Sequence, residues 1–361
     1  MGRLPFCVKG RAVQAEPQQE TPCLSWQSLT LQLRTPFRLS YGATQERTAH
    51  WIRLRGDVGW GEGTIPPYYP LREADLHAYW DRAALRTDPF PERFEAISDW
   101  IDPDGPAPAR AALDMALHDY VSRKLGLPLY AALGLPKPER KASSFTISVD
   151  TPESMAAEAR RLRNFPIIKL KLAGDEDDMA RLEAVRAARP DARLFADANA
   201  GWSLNQALDY LPWLESVNLE MLEQPLGVEE IDGLGRLQAK TSIAIVADES
   251  LQKPQDLRQL AEAGVRGVNI KLMKVGGVGP AVRLVEQARK AGMKVMLGCM
   301  IETSVGLSAA AHLAGLADWL DLDAGLLVAN DPFEGMIFGE DGLISLPERS
   351  GIGARLRHPG A

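Results

Sequence analysis

The stretch "NFPIIKLKLAG", Asn164–Gly174, sets Lys169 and Lys171 into a run whose other members, Ile167, Ile168, Leu170 and Leu172, suit a buried parallel strand. Side chains alternate across a strand with period two, so both lysines face the same side. Two positive charges on one face of a core strand require partners. Where those partners stand in the chain decides the fold.

The same texture recurs along the chain. "SSFTISV", "IIKLKL", "RLFADAN", "NLEMLEQ", "IAIVADES", "GVNIKL", "KVMLGCM" and "WLDLD" are apolar segments separated by amphipathic ones. About eight strands at a spacing of roughly 22–28 residues have the rhythm of a (β/α)-barrel, an α/β fold of the TIM type. A doubly wound sheet is the competing architecture, but no G-x-G-x-x-G follows the first of these strands. The barrel is expected over residues 141–331. Before it, "LSWQSLTLQL", "AHWIRLRG" and "VGWGEG" read as short strands, followed by helices of which "ARAALDMALHDYVSRKLG" (Ala109–Gly126) is the clearest, stopped by Gly126 and Pro128. Residues 24–140 therefore form an α+β module, with 332–361 expected to fold back onto it and 1–23 a polar, irregular extension.

Composition narrows the function. With 361 residues, 45% of them hydrophobic, the chain can bury a large core. Lys plus Arg is 41 and Asp plus Glu is 48, a net charge of −7, which argues against nucleic acid or an anionic membrane as the main partner. Three cysteines (Cys7, Cys23, Cys299) are too few and wrongly spaced for a disulfide framework. The opening "MGRLPFCVKGRAVQAEPQQE" has no signal-peptide apolar run, and Phe6 stands where a myristoylation signal has Ser or Thr. No apolar run approaches the ~18 residues of a membrane span. A cytoplasmic location is expected.

In such a barrel the active site lies at the C-terminal ends of the strands. Read in order, those ends carry Lys169 and Lys171, then Asp197 and Asn199, Glu220 and Glu223, Asp248 and Glu249, Lys271, Glu302, and Asp321 and Asp323. Each alone reads as a solvated strand face, a turn or a helix cap. Recurring at one place in successive units, they read as a cluster, because each unpaired buried charge would cost several kcal/mol. Asp197, Glu223 and Asp248 offer three hard carboxylate ligands suited to one Mg²⁺ per subunit. Lys171 and Lys271 stand across the mouth as candidate acid/base residues. A divalent cation and a close like charge lower a lysine's pKa, and Lys169 is the nearest like charge to Lys171.

From about Leu24 to Leu356 the sequence resembles the enolase superfamily, in its muconate lactonizing enzyme-like branch. "KLK" with Lys171, "DANAGW" with Asp197, "EQP" with Glu223, "ADES" with Asp248 and "NIKLMKVGG" with Lys271 carry the resemblance. "ARAALDMALHDYVSRKLGLPLYAALG" resembles the helical signature of that branch's capping domain. The resemblance implies Mg²⁺ on the three carboxylates, removal of a proton α to a carboxylate to give a metal-held enediolate, and Lys171 and Lys271 as the acid/base pair. The five histidines (His50, His77, His118, His312, His358) are absent from the late strand ends, which disfavours a His base.

"CMIET" (Cys299–Thr303) with the D-x-D of "LDLD" resembles the dipeptide epimerases, where the D-x-D holds the substrate's ammonium. Asp321 and Asp323 suit a cation and are poor neighbours for a dianion. The expected function is a Mg²⁺-dependent epimerase inverting the α-carbon of a dipeptide's C-terminal residue. Lys169, Asp321, Asp323, Glu302 and Thr146 would contact substrate, and Asn199 and Glu249 would support. Tyr41, Gly42, Tyr68 and Tyr69 lie in loops expected to set side-chain preference, with Arg38 and Arg47 nearby. Family members acting on Ala-Glu carry an arginine at the position of Gly42, so a small or apolar second residue is expected. o-Succinylbenzoate synthase with N-succinylamino acid racemase, and muconate cycloisomerase, are the rival enzymes, and they have no use for the two aspartates. A non-catalytic carboxylate-binding barrel is the reading from another class. A homo-oligomer is expected from relatives, which commonly assemble.

Overall fold

The computed structural model describes residues 24–39 and 42–357. Eight parallel strands form one sheet: Phe145–Ile147, Ile167–Lys171, Arg193–Asp197, Leu219–Glu223, Ala244–Ala247, Gly267–Ile270, Lys294–Gly298 and Trp319–Asp321, each beside its neighbour in sequence. The first and eighth meet without a regular ladder. Ser144 N–H donates to the Leu320 carbonyl at 2.9 Å, Ser144 Oγ to Asp321 at 2.6 Å, and Leu322 N–H to Ser143 Oγ at 2.8 Å. The barrel is thus nearly closed. Each of the eight predicted strand segments supplies one strand.

The barrel interior at its N-terminal end is a small apolar cluster of Ile167, Phe195, Met221, Ala244, Val246, Met296 and Trp319. It is separate from the main core, which fills the space between the strands and the surrounding helices. Among the described residues no helix is long and apolar enough to cross a membrane.

Strands Leu24–Leu39, Gly42–Leu54 and Gly59–Gly63 form an antiparallel sheet that caps the barrel, in that order. The helix Ala107–Lys124 is buried around nearly its whole circumference. Ala111 and Met115 belong to the barrel's core, whereas Ala109, Ala112, Leu113, Ala116, Leu117 and Val121 belong to the cap's. "GWGEG" explains how it comes so close. A Cβ on Gly59, Gly61 or Gly63 would stand 2.6, 1.8 or 2.8 Å from the helix carbonyls of Ala116, Ala112 and Pro108, so only glycine admits the helix backbone there. Asp114 of the same helix accepts the N–H groups of Val278 (2.6 Å) and Gly279 (3.2 Å), which open a barrel helix.

The C-terminal segment returns to this module. Phe333 packs edge-on against Trp51 and Trp60, both at 5.0 Å, and Ile352 N–H donates to Asp119 at 2.8 Å.

His312, which ends the helix Ser304–Ala311, joins the two parts from below. Its Nδ1 accepts the Tyr130 N–H at 3.2 Å, and burial pushes its pKa down from 6.5 to about 4. A depressed pKa means that the unfolded chain takes up the proton first. Stability is complete above pH 6.5 and falls as pH drops toward 4, by about 3 kcal/mol at ~1.4 kcal/mol per unit. His312→Gln should flatten this part of the pH–stability curve, as read by urea unfolding between pH 7 and pH 4.

Candidate active site

Alternation along each strand carries the apolar interior directly into the charged one. Lys169 lies two residues beyond Ile167, Asp197 beyond Phe195, Glu223 beyond Met221, Asp248 beyond Val246 and Asp321 beyond Trp319. They share the inward face by period two, and all are buried.

Lys169 is fully buried and is the hub. Its Nζ lies 2.6 Å from Glu223, 2.8 Å from Asp321 and 3.1 Å from Asp197. Burial alone would lower its pKa, but the charges of Asp321, Glu223 and Asp197 outweigh it and hold the ammonium well above the usual lysine range. Lys171 Nζ reaches Asp197 at 2.5 Å. From the far wall Lys271 Nζ donates to Asp248 at 2.8 Å. Lys274 Nζ donates to the Asp248 carbonyl at 2.6 Å and also to its carboxylate.

Burial would lower Lys271, but where no cation compensates the carboxylates the charges of Asp248 and Glu223 outweigh it and raise the group; the expected lowering belongs to the metal-bound site. The carboxylates separate in turn. Burial would raise Asp248, yet Lys271 and Lys274 hold it far below the carboxylate range. Glu223, buried and facing Asp197, is raised. Its Oε2 is buried without an aligned hydrogen bond, although Lys169 Nζ is 2.6 Å away.

Above these groups is a cavity of about 700 Å³, its open mouth included. Lys169, Lys171, Asn199, Asp248, Glu249, Lys271, Thr146, Asp321 and Asp323 line its floor and sides. Phe37, Arg47, Thr64, Ile65, Pro67 and Tyr68 from the cap, with Ile301 and Leu327, roof it. Asn199 Nδ2 donates to Glu249 at 3.1 Å and Asn199 N–H to Asp197 at 3.0 Å. To do so Asn199 and Ala200 take φ of 43° and 60°, a left-handed pair that non-glycine residues seldom adopt. Glu249 is raised to about 8 by burial and then by Asp248 and Asp197.

At the eighth strand the two aspartates divide the work. Asp321 is committed to Lys169 and Ser144. Asp323 accepts the Thr146 N–H at 2.7 Å and pairs with no cation among the described residues, and burial followed by Asp321's charge raises it to about 6.

Other expected residues lie elsewhere. Glu220 is three residues from Glu223, not two, and bonds Arg193 (2.5 and 2.6 Å) and Trp319 Nε1 (2.8 Å) at the opposite end of the barrel. Glu302 does not line the cavity: its carboxylate takes the Met300 N–H at 2.7 Å and, raised to about 8 by burial and Glu62, is turned toward the cap. Arg38 pairs with Asp150 at 3.6 Å. Tyr69 packs edge-on against Tyr68 (5.3 Å), half-buried and close enough to Asp248 and Lys271 to feel their charges. Gly42 is exposed at the start of its strand, and Tyr41 lies outside the described residues.

Three residues were not singled out from sequence. Lys274 is one, lying inside "NIKLMKVGG" three residues after Lys271. Asn269 donates to Glu223 at 2.7 Å, and its signal was present in "NIK", where it shares a face with Lys271. Glu62 of "GWGEG" is buried and accepts from Thr303 N–H (2.9 Å), Thr303 Oγ1 (2.6 Å) and Gly306 N–H (3.0 Å), holding the helix after the seventh strand to the cap.

Two family models match the chain: Enolase C-terminal domain-like over residues 154–360, and Mandelate racemase / muconate lactonizing enzyme, N-terminal domain, over 27–134. The L-Ala-D/L-Glu epimerase of Bacteroides thetaiotaomicron is 37% identical over 306 residues, 84% of this chain and 79% of that relative. The solved dipeptide epimerase of Enterococcus faecalis V583, complexed with Mg and the dipeptide L-Leu-L-Tyr, superposes with a TM-score of 0.85 at 28% identity, covering 92% of this chain and 99% of that one. The N-succinyl Arg/Lys racemase of Bacillus cereus gives 0.87 at 29% identity, covering 93% and 95%.

The hub is testable by itself. Lys169→Met leaves Asp197, Glu223 and Asp321 without their common counter-ion, and removing one partner of a buried pair costs about 3–5 kcal/mol. Urea unfolding in EDTA should show a loss of that size.

Proposed function

Because the chain belongs to the mandelate racemase / muconate lactonizing enzyme family of the enolase superfamily, as an isomerase acting on amino acid derivatives, we propose that it is a Mg²⁺-dependent dipeptide epimerase. The observation that carries the reading is the placement of Lys171 and Lys271. Lys171 ends the second of eight strands and Lys271 directly follows the sixth, on opposite walls of the barrel, and both face the cavity. Inversion at carbon needs a proton taken from one face and returned to the other, and this pair supplies both.

The residues fit a divalent cation. Asp197, Glu223 and Asp248 are three buried oxygen donors from consecutive strand tips, the donor type Mg²⁺ prefers. Glu223 Oε2 has no aligned donor. Carboxyl groups crowd this floor closely enough that burial and neighbouring carboxylates raise Glu223, and raise Glu249 to about 8. Mg²⁺ bound there would relieve that crowding and stabilise the negative charge that develops on the substrate carboxylate.

The remaining work belongs to the chain. Lys171 and Lys271 alternate as base and acid at the substrate's Cα. Lys169 stays protonated and fixes Asp197, Glu223 and Asp321 relative to one another. Asp323, supported by the Thr146 N–H and lacking a cation, takes the dipeptide's ammonium and so sets Cα between the lysines. Phe37, Ile65, Tyr68 and Leu327 make the roof largely apolar, which favours an apolar second side chain, with Arg47 the one cation among the described residues on that wall. N-succinylamino acid racemisation is the second reading, favoured by the likeness to the Bacillus cereus racemase. A succinyl carboxylate would have to lie against Asp323.

Incubation with Mg²⁺ in D₂O and pooled L-Ala-X dipeptides, read by mass spectrometry, tests the reaction class. A one-dalton gain on some members is expected; no gain on dipeptides, with gain on N-succinylamino acids, selects the second reading. Lys271→Ala should cut epimerisation by about 10²–10⁴ and retain exchange from one epimer only. Normal epimerisation by that variant would rule out the two-lysine scheme.

Asp323→Asn should raise KM for the dipeptide about ten- to hundredfold, the loss of a charge-assisted contact of ~1.5–3 kcal/mol. The acid side of the KM profile carries the sign. Asp323 is anionic above about pH 6 and protonated below it, so KM in the parent enzyme should rise as pH falls through 6, and the variant should lose that rise.

A further inference from the structure

A second cluster of ligating side chains lies in the cap, away from the barrel carboxylates. We propose that His50, Glu73 and His77 form a site for a borderline divalent metal such as Zn²⁺, which clips the cap strand Gly42–Leu54 to the helix Glu73–Ala84. One ligand atom from each of the three residues lies within 4.8 Å of the others. His50 Nδ1 and His77 Nε2 are 3.4 Å apart. Two nitrogens bound to one tetrahedral zinc at ~2.0–2.1 Å stand about 3.3 Å apart, so the two rings already span one edge of that tetrahedron. Glu73 and His77 are four apart on one helix and project from the same face. Two imidazoles and a carboxylate match zinc rather than Mg²⁺, which prefers oxygen alone.

The surroundings hold the ligands in place. Trp26 stacks on His77, ring centroids 4.1 Å apart and planes 19° apart, and Trp80 lies 5.5 Å from His50. His50 is fully buried on the middle strand of the cap sheet, and its Nδ1 would exchange the contact with Ser28 Oγ, now 2.9 Å, for the metal. Glu73 is exposed and His77 partly so, which leaves a path for the ion and a fourth position for water.

The position gives the site a purpose. His50 is paired with Gly63, so the two ends of the segment from Gly63 to Glu73 meet at the cluster. Thr64, Ile65, Pro67 and Tyr68 of that segment roof the cavity. A metal here would fix both ends of the roof without touching substrate.

The test is zinc binding by the full chain at saturating Mg²⁺, which keeps the barrel carboxylates filled. His77→Phe removes a ligand and retains a ring to stack on Trp26, and Glu73→Ala changes an exposed side chain. Metal analysis after equilibrium dialysis should find one more zinc per chain in the parent than in His77→Phe. Its affinity should exceed that of either variant by at least the ~10–100-fold that loss of a ligand's outer partner alone costs. Zinc should also raise the Tm of the parent and leave that of His77→Phe unmoved. Equal zinc content and affinity in the parent and His77→Phe would overturn the proposal, as would the absence of zinc from the parent.

Discussion

Charge compensation inside the barrel is the constraint from which the rest of the structure follows. Carboxylates and ammoniums at this depth are tolerable only against one another, because desolvation would otherwise drive them to their neutral forms. Lys169 shows this most directly, touching Asp197, Glu223 and Asp321 at once. Lys274 and Lys271 do the same for Asp248 from the far wall. The apolar layer beneath them, from Ile167 to Trp319, keeps water from entering from the other end. The cap closes the top, with Glu62 tying it to the barrel helix after the seventh strand.

The barrel was legible because its strands are short apolar runs at regular spacing, and the site because ionisable residues recur at the same point of each run. Alternation was decisive where it was applied consistently. It put Lys169 and Lys171 on one face, and the same rule applied to "NIK" would have added Asn269. In "NLEMLE" it is position along the strand that separates the two glutamates, Glu220 near its start and Glu223 at its end, and the structure places them at opposite ends of the barrel. What alternation cannot reveal is division of labour. That Asp321 is bound to Lys169 while Asp323 is left without a cation depends on Ser144 and Thr146, more than 170 positions away in the chain.

Glu62 was illegible for a different reason. In "GWGEG" the glycines dominate the reading, and they signal a tight turn as readily as a strand pressed against a helix. Only the position of Ala107–Lys124 shows that the strand lacks side chains on one face so that the helix can approach. How many carboxylates each ammonium faces was likewise inaccessible, because that number is set by the closure of the barrel.

The helix Ala107–Lys124 contributes to two cores at once, and this bears on how such a molecule can diversify. The residues above the cavity, Phe37 and Arg47 at the far end of the cap strands and Tyr68 in the loop beyond them, lie outside both cores and can change without disturbing either. The helix cannot: Ala111 and Met115 are matched to the barrel and Ala112 and Ala116 to the cap, along a line of glycines that fixes its distance. An inherited junction between Pro70 and Ala107 would pair one parent's sheet with another parent's helix and put side chains into backbone. Shuffling of whole caps is therefore confined to junctions that keep strand and helix together, whereas new substrate preferences can arise by point changes above the cavity.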